Sequence, residues 1–156
     1  MVGASRGAGK VDRPWWHDGI RFGCQQCGAC CRSRGEHRHV YLSYRDQLAL
    51  AGHLGLDQEE LLHRHCRLAD RQIFLEMVDD RCCFLDPAGR CRVYPARPKQ
   101  CQAWPILHEL LDEEAWLGLV AAICPGVGQG RRYPAEKIRK IAKERDRWYG
   151  YLYRRL

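Results

Sequence analysis

Four of the ten cysteines in this chain fall within eight residues, in the run Cys24-Gln25-Gln26-Cys27-Gly28-Ala29-Cys30-Cys31. Thiolates are soft ligands that suit zinc, copper(I) and iron–sulfur clusters. In a CxxC loop two sulfurs reach one metal, and Gly28 permits the tight backbone path that this requires. No purely structural need places four cysteines so close together. The run therefore predicts a metal site, to which the rest of the chain returns further cysteines.

The cellular compartment determines how clustered cysteines are interpreted. The first thirteen residues are small, polar and glycine-rich and contain no apolar segment, so we expect no signal peptide. No apolar run approaches the roughly 20 residues that a membrane span needs. We therefore expect a cytoplasmic protein without membrane contact, in which clustered cysteines bind metal or take part in catalysis instead of forming disulfides.

Further cysteine-containing blocks follow the first run in order. The whole series is Phe22-x-Cys24-x-x-Cys27-Gly28-x-Cys30-Cys31, Cys82-x-Phe84-Leu85-Asp86, Cys91-x-Val93-Tyr94-x-x-Arg97-Pro98-x-x-Cys101-x-x-Trp104-Pro105 and Cys124-Pro125-Gly126. In these blocks the chain closely resembles the CxxCxxCC family, YkgJ-type cysteine-cluster proteins of bacteria described as zinc- or iron-chelating. The resemblance runs from about Pro14 to the last predicted helix. Some relatives are flagellin lysine N-methylases, which carry additional sequence.

The resemblance implies eight metal-binding cysteines: Cys24, Cys27, Cys30, Cys31, Cys82, Cys91, Cys101 and Cys124. Cys83 stands where the family commonly has proline, and we interpret it as a spare thiol. Cys66 has no counterpart in the motif, and we interpret it as a buried free thiol. Eight ligands divide into two four-cysteine sites, or into one cluster plus one mononuclear site, and the sequence does not assign the ligands to them.

Zinc and iron are both compatible with these ligands. Tetrahedral coordination by four thiolates is ordinary for structural zinc. The spacing of Cys24, Cys27 and Cys30, with the distant Cys124-Pro125, also resembles that of bacterial ferredoxins, except that Cys31 follows Cys30 directly. We therefore expect zinc or iron as the cofactor, with an iron–sulfur cluster among the iron forms. Arg97 belongs to one of the family blocks, and we expect it to offset thiolate charge.

The formal net charge of +7 is confined to one end of the chain. Residues 131–156 hold ten Lys and Arg against three acidic residues, whereas residues 1–130 are balanced. Eight thiolates around two divalent ions would leave the rest of the chain with four net negative charges. The basic segment then either offsets that charge within the molecule or contacts an acidic partner. We favour the intramolecular role and do not expect nucleic acid as a partner, while a protein partner is compatible with the sequence.

The predicted elements around the cysteines are mostly helical. The patterns predict a strand at 40–42, helices from Ser43 to Gly55 and from Asp57 to about 68, strands at 72–78, 81–85 and 91–94, no regular helix between Pro95 and Asp112, and helices at 113–123 and from Pro134 to about 153. Cys66 lies on the second of these predicted helices. The strands at 81–85 and 91–94 form a predicted hairpin that brings Cys82 close to Cys91.

We therefore predict an α+β protein: a small, irregular single domain, mostly helical, with a short β-hairpin, held together by metal–thiolate sites. Its expected parts are a flexible tail at 1–13, a cysteine-cluster domain at 14–130 and a basic helix at 131–156 packed on that domain. The predicted function is zinc or iron chelation. The alternatives are a redox or group-transfer metalloenzyme or accessory protein related to the flagellin lysine N-methylases, and a zinc-stabilised nucleic-acid-binding module. The sequence does not decide whether the protein is an enzyme.

Overall fold

The computed structural model describes residues 13–32 and 39–153. The expected flexible tail at 1–13 lies outside this part of the chain, except for Arg13. The regular elements in chain order are β1 (Ile20–Phe22), α1 (Tyr44–Leu54), α2 (Gln58–His65), β2 (Cys66–Ala69), β3 (Gln72–Leu75), β4 (Met77–Val78), β5 (Arg81–Cys82), α3 (Lys99–Ala103), α4 (Glu113–Ala115), a π-helical segment (Trp116–Val120), α5 (Ala121–Ile123), β6 (Arg131–Tyr133) and α6 (Ala135–Tyr153). Three-residue 3₁₀ helices begin at Ala29, Tyr94 and His108.

The strands form three separate antiparallel pairs, β1 with β6, β2 with β3 and β4 with β5. Their registers pair Ile20 with Tyr133, Cys66 with Leu75 and Met77 with Cys82. Helices account for most of the remaining regular structure. The predicted α+β class, a small domain of helices and short antiparallel strand pairs, is confirmed.

Local capping signals fix the ends of the first two helices. Ser43 and Asp46 form a capping box at the start of α1, and Asp57 and Glu60 form a second one at α2. Gly55, in the left-handed region with φ 68°, ends α1 as predicted. These three features are local in sequence, which is why the sequence predicts them well.

The predicted end of the second helix is wrong. Helix α2 stops at His65, and Cys66 begins strand β2 instead of lying on the helix. The strand is held by pairing with β3, which follows a tight turn at residues 70–71, both with positive φ. Tertiary pairing therefore overrides the helical pattern beyond His65.

Two further predictions in the middle of the chain need correction. Only Arg81–Cys82 of the predicted strand at 81–85 is regular, and the returning strand is reduced to a single bridge between Leu85 and Cys91. No regular helix was predicted for the proline-rich stretch, but helix α3 lies within it. Proline is tolerated just before a helix because the first turn needs no backbone donor there, and Pro98 occupies the N-cap of α3.

The later helices follow the predictions closely. Asp112 caps a continuous helical segment that begins at Glu113 and ends at Ile123, with π-helical geometry in its middle. Helix α6 begins directly after Pro134 and extends to Tyr153. The sequence did not predict the pairing of β1 with β6, since each strand is only three residues long.

Two hydrophobic cores hold these elements together. The first core joins α1, α2, β3 and the β5 region, and its buried side chains are Leu42, Leu50, Ala51, Leu61, Cys66, Leu75, Cys82, Phe84 and Val93. The second core joins β1, α3, the π-helical segment and α6, and its buried side chains are Ile20, Ala103, Ile106, Leu107, Leu110, Trp116, Val120 and Ile138. Cys31 and Cys91 pack against the first core and Cys124 against the second.

Among the described residues, no helix is both long enough and apolar enough to cross a bilayer.

Candidate metal centre

All eight cysteines of the motif line one small cavity between the two cores. The cavity has a volume of about 70 Å³, and its walls also include Phe22, Tyr94, Arg97 and Trp104. Cys82 is buried, whereas Cys24, Cys27 and Cys30 are exposed and the other four are half-buried. The fold therefore brings together cysteines that lie up to a hundred residues apart in sequence.

The first cysteine loop is held against the turn at residues 86–89. Gly28 has a φ of 72°, and a Cβ there would collide with the carbonyl oxygen of Gly89 and lie 2.7 Å from Leu85 Cδ1. Only glycine allows both this backbone conformation and this close approach. The loop then closes into a 3₁₀ turn, in which the Cys31 N–H donates to the Gly28 carbonyl at 3.1 Å.

Backbone hydrogen bonds carry Cys124 back to the start of the same loop. The N–H of Gly23 donates to the carbonyl of Gly126 at 3.0 Å, and the N–H of Gly128 donates to the carbonyl of Arg21 at 3.0 Å. Val127 also forms a β-bridge with Phe22. Cys24 and Cys124 therefore lie on neighbouring stretches of backbone.

The middle of the chain supplies two more cysteines through a second turn. The Asp86 N–H donates to the Arg90 carbonyl at 2.9 Å, and the Arg92 N–H donates to the Phe84 carbonyl at the same distance. This pairing places Cys91 opposite Leu85, three residues after strand β5 ends at Cys82. Both cysteine side chains line the cavity, although a full hairpin is not formed.

Helix α3 supplies Cys101, and the carboxylate of Asp46 holds the start of that helix. Asp46 is 8% exposed, and its Oδ1 accepts from the backbone N–H of Lys99 at 2.9 Å. Its Oδ2 accepts from Ser43 N at 2.9 Å and from the indole Nε1–H of Trp148 at 3.2 Å. One buried carboxylate therefore joins α1, α3 and α6.

Hydrogen bonds between neighbouring thiols lower the pKa of some of these cysteines and raise the pKa of others. The Cys31 thiol interacts with the sulfurs of Cys30 and Cys91, which lowers the pKa of Cys30 to about 7 and that of Cys91 to about 6. The same contacts, together with burial, raise the pKa of Cys31 well above its ordinary value. Cys82 has a lowered pKa, chiefly because Cys83 hydrogen-bonds to it. Thiolates, the form that binds metal, are thus favoured at several points of the cavity.

The charge effects between cysteines define two neighbourhoods, one around Cys101 and one around Cys124. Burial first, and then the charges of Cys30, Cys82 and Cys91, raise the pKa of Cys101. Burial and then the charges of Cys27, Cys30 and Cys24 raise the pKa of Cys124. Cys30 is the member common to both neighbourhoods.

Arg97 is a cation in the wall of the cavity that acts on two of these sulfurs. It lines the cavity and helps to lower the pKa of Cys30 and of Cys91, after the stronger effect of the Cys31 thiol. Its guanidinium carbon lies 3.7 Å from the centre of the Tyr94 ring, and its Nε–H donates to the Tyr94 carbonyl at 3.0 Å. The Tyr94 hydroxyl in turn interacts with Cys24, which raises the pKa of that tyrosine.

The donor set fits a thiolate-bound metal in type and in number. As the side chains stand, no three His, Cys, Asp or Glu side chains in the described ranges converge closely enough to hold one ion. Several sulfurs are instead hydrogen-bonded to one another. Binding an ion would require these side chains to rotate toward a common point and exchange S–H contacts for metal–sulfur bonds.

The comparison with known families agrees with this arrangement. The family profile described as "CxxCxxCC: Putative zinc- or iron-chelating domain" matches residues 23–125. The chain belongs to the CxxCxxCC family. The matched residues include every cysteine that lines the cavity.

One relative of this chain comes from Methanocaldococcus jannaschii. It is an uncharacterised protein that is 31% identical to this chain over 90 residues. The match covers 56% of this chain and 46% of the relative, so the matched part spans about half the length of that protein. No solved structure matches the chain.

The two cysteines outside the CxxCxxCC motif do not line the cavity. Cys66 is 5% exposed, and burial raises its pKa to about 11, so it is a buried thiol at neutral pH. The Cys83 thiol lies 3.7 Å from the carbonyl oxygen of His65 and also contacts Cys82. Cys83 therefore affects the cavity only by its contact with Cys82, which lines it.

Sequence reasoning assigned no role to two residues that support the site. Tyr94 belongs to a family block, but its interaction with Cys24 depends on the fold of the second turn. Gln100 precedes Cys101, accepts from the Tyr41 N–H at 3.2 Å and donates to the His39 carbonyl at 3.1 Å.

Proposed function

We propose that this protein binds zinc or iron through the thiolates of the eight cysteines in the cavity. The single observation that carries the proposal is that the fold gathers all eight motif cysteines, and neither of the other two, around one small cavity. Soft thiolate donors at this density favour zinc, iron or an iron–sulfur cluster over harder cations. Membership of a family described as zinc- or iron-chelating supports the same conclusion.

The eight ligands are proposed to form two sets of four. One set is Cys31, Cys82, Cys91 and Cys101, and the other is Cys24, Cys27, Cys30 and Cys124. The charges of Cys82 and Cys91 act on Cys101, and those of Cys24 and Cys27 act on Cys124, which supports this division. Cys31 joins the first set through its thiol contact with Cys91. Cys30 contributes to both neighbourhoods, and its place in the second set follows from its CxxC spacing to Cys27.

Metal binding is also proposed to stabilise the fold. Cys31 and Cys91 pack on the first hydrophobic core and Cys124 on the second, with the cavity between the cores. Metal–thiolate bonds across the cavity would therefore join the two cores. Because a preformed site rarely exists in the unfolded chain, the free energy of metal binding adds to that of folding.

The basic segment is proposed to offset the charge of the metal-loaded cluster. Arg131 and Lys137 line a second cavity of about 290 Å³ together with Cys24 and Arg97. In the same helix, Lys140 lies 4.0 Å from Glu144, and Arg139 stacks over Trp16 with 5.3 Å between guanidinium and ring. Lys140 and Arg139 therefore have partners within the molecule, which favours the intramolecular role over nucleic-acid binding.

Single cysteine substitutions test the proposed function. Anaerobically purified Cys101→Ser and Cys124→Ser proteins should each lose the metal of one set, measured by elemental analysis per chain. Cys66→Ser serves as the matched control, because Cys66 does not line the cavity and, unlike Cys83, does not contact the ligand Cys82. Full metal retention in the Cys101 and Cys124 variants, or metal loss only in the control, would refute the proposal.

A further inference from the structure

A larger cavity shares a wall with the cysteine cluster. It has a volume of about 370 Å³, within the range of small-molecule sites. The residues common to both cavities are Cys30, Cys31, Val40, Cys82, Cys101 and Trp104. Its remaining apolar wall comes from Met77, Leu107, Leu110 and Leu119. One side of this cavity is therefore thiol-rich and much of the rest is apolar.

A buried guanidinium stands in the wall of this larger cavity. The side chain of Arg145, on α6, is only 10% exposed, and its two terminal nitrogens donate to the Glu109 carboxylate at 3.1 and 2.8 Å. The guanidinium carbon lies 4.4 Å from the centre of the Tyr149 ring. The Glu109 carboxylate thereby balances the charge of Arg145, as burial of a guanidinium requires.

Two polar atoms around the cavity have no partner in the described part of the chain. They are Nε of Arg145 and Nδ1 of His39, both buried. The His39 ring also packs against Phe74, with 4.1 Å between ring centres. Arg145 Nε always carries a hydrogen, whereas His39 Nδ1 is a donor or an acceptor according to the tautomer. A buried N–H without an acceptor costs free energy, so Arg145 Nε marks a place where a ligand oxygen would be stabilised.

We propose that this cavity binds a small organic molecule with an apolar body and an acceptor oxygen, and that a small shift of the buried Arg145 side chain lets its Nε–H donate to that oxygen. The apolar wall would hold the body of the molecule, and the opposite end would lie against Cys30, Cys31, Cys82 and Cys101. A carboxylate, sulfonate or carbonyl oxygen each offers an acceptor for this donor, and Glu109 and Asp146 already pair with the terminal nitrogens of the guanidinium. Contact of this ligand with metal rests on the proposed function, whereas its binding in the cavity does not.

Anilinonaphthalene sulfonate is a suitable probe, since it combines an apolar ring system with acceptor oxygens and fluoresces when buried. It is titrated into zinc-loaded protein, and metal content is measured on the same samples. Two substitutions alter the cavity: Arg145→Met removes the donor, and Leu119→Trp fills the space. Their matched controls are Arg147→Met, on the same helix, and Leu117→Trp, whose residue is 64% exposed on the same helical segment.

The wild type should bind one probe per chain with a saturable curve. Each cavity variant should raise the dissociation constant of the probe by about tenfold or more, and each control should leave it unchanged. Circular dichroism verifies folding, and Leu119→Trp decides the matter if Arg145→Met does not fold. Absence of saturable binding, or equal binding by the folded cavity variants and their controls, overturns the proposal. Wild-type protein that retains no metal but still binds the probe contradicts the proposed function alone.

Discussion

Substitution of Gly28 by alanine should separate backbone strain from close packing in the cysteine loop. At Gly28 the added Cβ meets the Gly89 carbonyl and Leu85, whereas at Gly55 it meets no atom within 4 Å. The two glycines have almost the same φ, 72° and 68°, so alanine pays a similar conformational penalty of about 1–2 kcal/mol at both. Overpacking against a backbone carbonyl adds about 1–3 kcal/mol at Gly28 alone.

Thermal unfolding of both variants measures this difference directly. In a domain of this length each kcal/mol lowers the melting temperature by about 2–4 °C, so Gly28→Ala should melt well below Gly55→Ala. Because the loop carries Cys27 and Cys30, Gly28→Ala should also lose the metal of the second proposed set, while Gly55→Ala keeps full occupancy. Equal melting temperatures and equal metal content in the two variants would refute the reasoning.

Three other predictions concern Asp46, Cys91 and the basic segment. Asp46→Ala should lower the free energy of unfolding by about 2–4 kcal/mol, because three part-buried N–H groups, those of Ser43, Lys99 and the Trp148 indole, lose their acceptor; Asp57→Ala, an exposed cap, should cost only about 1 kcal/mol. Similar denaturation midpoints would contradict this. In metal-free protein, iodoacetamide should label Cys91 readily at neutral pH and more slowly as the pH falls through about 6, where its thiolate is protonated; a rate that begins to fall only near the ordinary thiol pKa would count against it. Replacing Arg131 and Lys137 together by glutamine should weaken metal retention against a competing chelator without creating or removing DNA binding; salt-sensitive DNA binding by the wild type, lost in this variant, would show that the basic segment has an external partner.

Signals that are local in sequence were predictable from the chain alone. The capping boxes at Ser43 and Asp57 and the cap at Asp112 depend on residues within one helical turn, and the structure contains all three. The family blocks likewise single out eight cysteines that the fold gathers around one cavity.

Features that depend on distant partners were not predictable in this way. Helix α2 stops where Cys66 pairs with Leu75, and β1 exists because Ile20 pairs with Tyr133 more than a hundred residues later. The buried position of Arg145 depends on Glu109, which an independent stretch of chain supplies. Each of these contacts is decided by packing between segments, about which local periodicity carries no information.

Metal content of the anaerobically purified protein tests the central claim most directly. Elemental analysis, combined with a count of thiols that react under native conditions, shows whether the eight cysteines hold metal. We predict stoichiometric zinc or iron with the eight thiols protected until a chelator removes the metal, with a brown colour and broad visible absorption if an iron–sulfur cluster is present. Protein that contains neither metal, and whose exposed Cys24, Cys27 and Cys30 react at once, would contradict the account.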